Sequence, residues 1–437
     1  MEDLSANLLS RDKESVWHPF TQHGLGRQLL PVAGGMGAVI RDVEGREYLD
    51  MISSWWVNLH GHSRPELAKA VADQILKLDH VQFAGATHEP AVLLAERLLE
   101  AAGLRGKAKV FYSDNGSTAV EVALKIAHQH WVNQGTPRKL FAVLEGGYHG
   151  DTVGAMSVGR SSGFFDSFTG MMFETTVLPV PLIWRNFQNE EGEGDALSKI
   201  AALLDRLGNQ MAGLIVEPLI QGAGGMRFHS PRYLSELCRL FQERSIPVIF
   251  DEVMTGFGRT GSFFAYQQTS VIPDMICLSK GITGGILPLS VTISSNLLFK
   301  SFLGDDFSSA LAHGHSYTAN PVACAAALCS LDLHEETDSL GQVARMNRRM
   351  AHHLEKLVTH PKIEHPRLLG GILAFDLVTS SRSYSAAAGR ELTNFAQENG
   401  VLMRPIGNVL YLIPPYCTSD EQLDRVFGVI GEFLGGH

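Results

Sequence analysis

Two residues at the ends of apolar runs could carry chemistry in this chain of 437 residues. Asp251 follows IPVIF, and Lys280 follows DMICLS. Such short apolar runs read as buried strands, so both groups should emerge at the carboxyl edge of one sheet, where sheets of this kind bind ligands. An amine nucleophile near a carboxylate suits a cofactor that needs both. Pyridoxal phosphate is such a cofactor: its aldehyde condenses with a lysine amine, and its protonated pyridine nitrogen sits beside a carboxylate, which makes the ring an electron sink. The same two residues also fit a surface lysine paired in water with a strand-end aspartate.

A phosphate needs a cradle. In YSDNGSTAVEVALK (112–125), Gly116, Ser117 and Thr118 stand where a strand gives way to a helix. Free N–H groups at a helix start, joined by hydroxyls, form an anion site; the bland alternative is an ordinary N-cap. Tyr148, in GGYHGDT (146–152), follows the run LFAVLE and brings a flat ring to the same edge. That ring either stacks on a planar cofactor or is a half-buried loop tyrosine. The 18 histidines show no metal-ligand spacing with partnering acids, so no metal site is expected, and His149 receives no defined task.

The elements that must hold these groups alternate along the chain. Residues 117–131 have helical spacing, followed by strand-like 140–145 and 212–218, a helical stretch 233–241, then strands over 246–252 and 274–280. That alternation predicts an α/β fold around a largely parallel sheet covered on both faces. VIRDVEGREYLDMI (39–52) reads as a hairpin with Glu44-Gly45 in its turn. A long helical tract runs from Pro321 to Leu357, and GGILAFDLV (370–378), a helix around 386–398 and a hairpin over 401–415 suggest a smaller α/β unit. The expected division is residues 1–60 and 326–437 in the small domain and 61–325 in the large one.

Composition narrows the function. Lys+Arg 36 against Asp+Glu 46 gives a formal charge of −10, which disfavours phosphate-backbone binding as the main activity, so no nucleic-acid partner is expected. Five cysteines without a CxxC pair read as reduced thiols. No apolar run spans a bilayer and MEDLSANLLSRDKES does not read as a secretory signal, so a cytoplasmic protein without membrane partners is expected.

FYSDNGSTAVEVALK, GGYHGDT, IVEP, FDEVMTGFGRTG and LSKGITGG occur in the order found in one family. From about residue 15 to the C-terminus the chain resembles the class III pyridoxal-phosphate aminotransferases of fold type I. VWHPFTQ (16–22), MISSWWVNLHGH (51–62), QGAGGMR (221–227) and MRPIGNVLYLIPP (403–415) resemble the branch that serves biotin biosynthesis. The resemblance implies a large domain with a mostly parallel seven-stranded sheet, a smaller α/β domain from both chain ends, and a homodimer with shared active sites. It also implies amination of 8-amino-7-oxononanoate to 7,8-diaminononanoate.

Site residues carry over one by one. Lys280 would hold the cofactor and shuttle a proton, Asp251 would meet the pyridinium nitrogen, and Gly116 and Ser117 would hold the phosphate. Tyr148 would stack on the ring, with Glu217 of IVEP at its hydroxyl edge. Ser316, where the family commonly has threonine, would reach the phosphate of the neighbouring subunit. Arg404 would receive the substrate carboxylate with its planar fork. Trp55 and Trp56 would wall the aliphatic chain, and Arg259 and Gly314 complete the substrate set. Phe20 stands where members using S-adenosylmethionine commonly carry tyrosine, and with His315 this resembles the branch that uses lysine. The donor is left as S-adenosylmethionine or lysine.

Three rival readings differ from this resemblance. GFGRTG (256–261) satisfies GxGxxG, but it does not follow a strand directly and no helix opens there, against a nicotinamide site. A non-catalytic protein would be expected to lack Lys280 or Asp251. Another class III ω-aminotransferase, acting on diamines or amino acids, is disfavoured by SSWW together with RPIGN.

Overall fold

Seven strands form the central sheet of the computed structural model, which describes residues 4–26, 29–181, 192–379 and 387–435. In spatial order they are Ala108–Ser113, Ser290–Ser295, Met275–Leu278, Val248–Asp251, Met211–Val216, Leu140–Leu144 and Thr175–Leu178. Only Ser290–Ser295 runs antiparallel to its neighbours. The apolar runs are continuous because both faces are buried. Along Met211–Val216, Leu214 and Val216 enter one apolar cluster while Ala212 and Ile215 enter another. Helix Gly116–Asn133 contributes Ala119, Ala123, Ala127 and Trp131 to the second cluster. Helix Pro231–Gln242 contributes Leu234, Leu237 and Phe241 to the first. Each large side chain so buried contributes about 1.5–3 kcal/mol, and together they fix the strand ends that carry the polar groups.

The hairpin expected over 39–52 forms as Val39–Asp42 and Glu47–Asp50, with Gly45 at φ +83° in its turn. Strand Val32–Met36 extends it on one side. From the other end of the chain, Val401–Leu402 joins Glu47–Asp50 in parallel.

Two readings of the C-terminal third are corrected. The tract from Pro321 is two helices, Pro321–Glu336 and Ser339–Leu357, broken at Asp338, whose φ is +47° and whose side chain caps the second helix. Residues 401–415 are not a hairpin, because Val401–Leu402 and Val409–Leu412 belong to different sheets. The second of these lies beside Ile372–Leu377, which also pairs with Ile363–Leu369, a strand the sequence reading lacked. The helix expected around 386–398 is Ala387–Glu398; residue 386 lies outside the described residues, as do residues 1–3 at the start of the N-terminal segment. The division expected at 325/326 falls inside helix Pro321–Glu336, which packs on Pro65–Lys77. Among the described residues no helix is long and apolar enough to cross a membrane.

Candidate active site

The strands Val248–Asp251 and Met275–Leu278 are parallel neighbours, so Asp251 and Lys280 leave the sheet at one edge. A cavity of about 510 Å³ opens there, lined by both residues together with Gly116, Ser117, Tyr148, His149 and Glu217. The solvated-pair alternative does not hold: Asp251 is 4% exposed, and its Oδ2 lies 2.8 Å from Nδ1 of buried His149. Its other oxygen accepts the Val253 N–H at 3.0 Å.

Lys280 sits at φ +48°, a conformation disfavoured for a residue with a Cβ and stored mainly at functional sites. Its Nζ stands 4.6 Å from the centroid of the Trp56 ring. Burial pushes the amine down to about 8, with the charge of Arg259 adding to the fall and the acids Asp251 and Glu217 opposing it. Glu217 is pushed up to about 7 by burial, although its oxygens accept the N–H groups of Tyr148 and Gly222.

At the far side of this cavity helix Gly116–Asn133 begins. Asn115 caps it by accepting the Thr118 N–H, which leaves the N–H groups of Gly116 and Ser117 open. A Cβ on Gly116 would fall 2.7 Å from Val253 Cγ1, so glycine is what fits beside this cavity-lining side chain. Ser117 Oγ accepts the Asp151 N–H, and Asp151 in turn accepts the Tyr148 hydroxyl at 2.9 Å. An amine, a held carboxylate, an anion cradle and a flat ring around one space fit pyridoxal phosphate.

A second cavity, of about 380 Å³, shares Trp56, Val57, Tyr148 and Lys280 with the first. Phe20, Trp55, Phe164 and Tyr411 give it an aromatic wall, and Arg404 also lines it. The Arg404 guanidinium lies 4.3 Å from the Trp55 ring centroid, and among the described residues no carboxylate pairs with it. Phe20, at φ +47°, meets Trp55 and Phe164 edge to face. Phe164 was not singled out from sequence, since nothing in GFFDSF marks it from a core aromatic.

Three expected residues lie elsewhere. Arg259 lines neither cavity; it is 1% exposed, and its Nη atoms donate to the carbonyls of Pro414 and Asn58. These two bonds tie the GFGRTG loop to the segments after Trp56 and Leu412. Ser316 and Gly314 are exposed and outside both cavities of this chain. His149, conversely, gains a task that sequence did not assign: it orients Asp251. Its place directly after Tyr148 at the sheet edge was the available signal. Among the described residues no group of His, Cys, Asp and Glu is arranged to hold a metal.

The family model for class-III aminotransferases matches residues 21–434. A protein of Synechococcus elongatus named adenosylmethionine-8-amino-7-oxononanoate aminotransferase is 45% identical over 420 residues, covering 96% of this chain and 98% of its own. The Helicobacter pylori protein of the same name is 36% identical, covering 99% and 98%. Among solved structures, the adenosylmethionine-8-amino-7-oxononanoate aminotransferase of Methanocaldococcus jannaschii superposes with a TM-score of 0.89 at 34% identity, covering 98% of this chain and 99% of its own. A PLP-bound amine transaminase from an uncultivated Pseudomonas species gives 0.90 at 32% identity, covering 96% and 98%.

Proposed function

The chain belongs to the class-III aminotransferases, and from that premise we propose that it aminates 8-amino-7-oxononanoate to 7,8-diaminononanoate in biotin biosynthesis. The observation that carries this reading is the joining of the two cavities through Lys280, Trp56 and Tyr148, with Arg404 lining the second alone. When bound, pyridoxal phosphate supplies an electron-withdrawing ring that makes the carbon bearing the amine acidic and carries the amino group between two substrates.

The protein's own groups do the rest. Lys280 Nζ, whose hold on its proton burial weakens to about 8, acts as nucleophile and then as the base that takes and returns the substrate's α-proton. Asp251, held by His149 and the Val253 N–H, keeps a carboxylate facing the ring nitrogen. Gly116 and Ser117 would hold the phosphate, Tyr148 would cover the ring, and Glu217 would face its hydroxyl. Arg404 takes the substrate carboxylate in a two-point contact, while Trp55, Trp56 and Phe20 exclude water along the aliphatic chain. Arg259 supports this wall from behind. On this reading Ser316 and Gly314 act in the site of a second copy, making the enzyme a homodimer with shared sites, and the five free thiols suit a cytoplasmic location.

The amino donor is S-adenosylmethionine, as the relatives' names have it, or lysine, as Phe20 suggests. The test is a single turnover: the cofactor-loaded protein is mixed with each donor and its absorbance followed, then the keto acid is added and 7,8-diaminononanoate assayed. One donor should bleach the pyridoxal band and the keto acid should restore it. No bleaching with either donor, or no restoration with the keto acid, rejects the reading.

A further inference from the structure

The walls of the second cavity rest on an unusual stretch of chain. Ser53, Ser54 and Trp56 all have positive φ, at +49°, +62° and +67°. Ser54 combines its φ with ψ −78°, a tight-turn geometry that L-residues with a side chain rarely adopt. Strain of this kind costs on the order of 1–3 kcal/mol per residue and persists only where surrounding groups overdetermine it.

Asp50 is the group that does so. It ends strand Glu47–Asp50 and is fully buried. Its Oδ1 accepts the Ile52 N–H at 3.1 Å; its Oδ2 accepts the Ser54 N–H at 2.6 Å and meets His62 Nε2 at 2.9 Å. All three partners bring hydrogen toward the carboxylate, so an amide would have to turn its NH₂ against one of them. The same strand end pairs with the segment that leads to Arg404. Asp50 is the register partner of Leu402, the Met51 N–H donates to the Leu402 carbonyl, and Arg404 follows two residues on. Ser53 Oγ then donates to the Ile413 carbonyl, closing the turn onto the segment beyond.

We propose that Asp50 is a positioning residue: its carboxylate holds the Ser53–Trp56 turn in its strained form, which aims Trp56 at Lys280 and Trp55 at Arg404. The proposal rests on the assignment of the second cavity to the substrates, and it adds a residue that touches neither cavity.

The experiment compares the unsubstituted chain, Asp50→Asn, Ser54→Gly and the double variant, each loaded with cofactor. Glycine adopts the Ser54 geometry without strain, so it should make the carboxylate dispensable. Asp50→Asn should keep a cooperative melt yet lose about tenfold or more in kcat/KM for the keto acid, since small misplacement of a binding wall is costly. It should also shift the pH titration of the cofactor's absorbance, because the Trp56 ring no longer faces Nζ. Ser54→Gly alone should behave as the unsubstituted chain, and adding it to Asp50→Asn should restore both readouts. Unchanged kinetics and titration in a folded Asp50→Asn, or losses that Ser54→Gly does not repair, would overturn the proposal. If Asp50→Asn fails to fold, His62→Ala, which removes one of the three partners, should show the same losses in smaller measure, and their absence would likewise overturn it. An unsubstituted chain that does not aminate the keto acid would reject the substrate reading instead, while the titration arm still decides the role of Asp50.

Discussion

On the proposed reading turnover depends on the amine of Lys280, and its setting leads to several expected outcomes. Lys280→Ala should abolish transamination while the phosphate cradle still retains cofactor without a covalent link, as borohydride treatment followed by peptide mapping would reveal. Burial holds this amine near 8 in the folded chain against 10.5 when exposed. The folded form therefore binds its proton less readily, and this costs stability in full below pH 8, progressively less up to 10.5, and not at all above it. Cofactor-free Lys280→Met should melt higher than the unsubstituted chain at pH 7, with the gap closing toward pH 10.5; a gap that widens with pH would contradict the assignment. Arg404→Ala should raise KM for the keto acid more than for the donor, and equal effects on both would count against the two-point contact.

Among the elements, the start of helix Gly116–Asn133 carries the most testable weight. Asn115→Ala removes the cap and should cost about 1 kcal/mol of stability. It should also weaken cofactor retention, because the first turn presents its N–H groups only while the helix is anchored; calorimetric melts and cofactor titration would measure the two effects. The buried parallel strands were legible from sequence because a strand covered on both faces is a continuous apolar run, as in IPVIF and DMICLS. The end of the chain was less so. Val401–Leu402 is two residues long and finds its partner in Glu47–Asp50 some 350 positions earlier in the chain (Leu49 against Val401). No local pattern encodes that pairing. The break at Asp338 was hidden for a different reason: both flanking helices share good helix formers, and only a left-handed cap separates them.

For the molecule as a whole, the candidate site was legible where its residues sit at strand ends in strong motifs, as with Lys280, Asp251 and Gly116. His149 and Asp50 were not, because their tasks depend on which backbone groups tertiary packing brings to them. Ser316 and its neighbour Tyr317 are exposed, as are Phe307 and, lining the first cavity, Ile286. Sedimentation should therefore give twice the chain mass of 47.7 kDa, and a monomer that retains full activity would refute shared sites. Arg404, meanwhile, rests on an indole and meets no acid among the described residues. On the proposed reading this guanidinium and the aromatic wall ask of a ligand only a carboxylate on a straight chain. Pentanoate, heptanoate and nonanoate should compete with the keto substrate in rising order, each added methylene tightening inhibition by up to about 0.8 kcal/mol until the aromatic wall is filled.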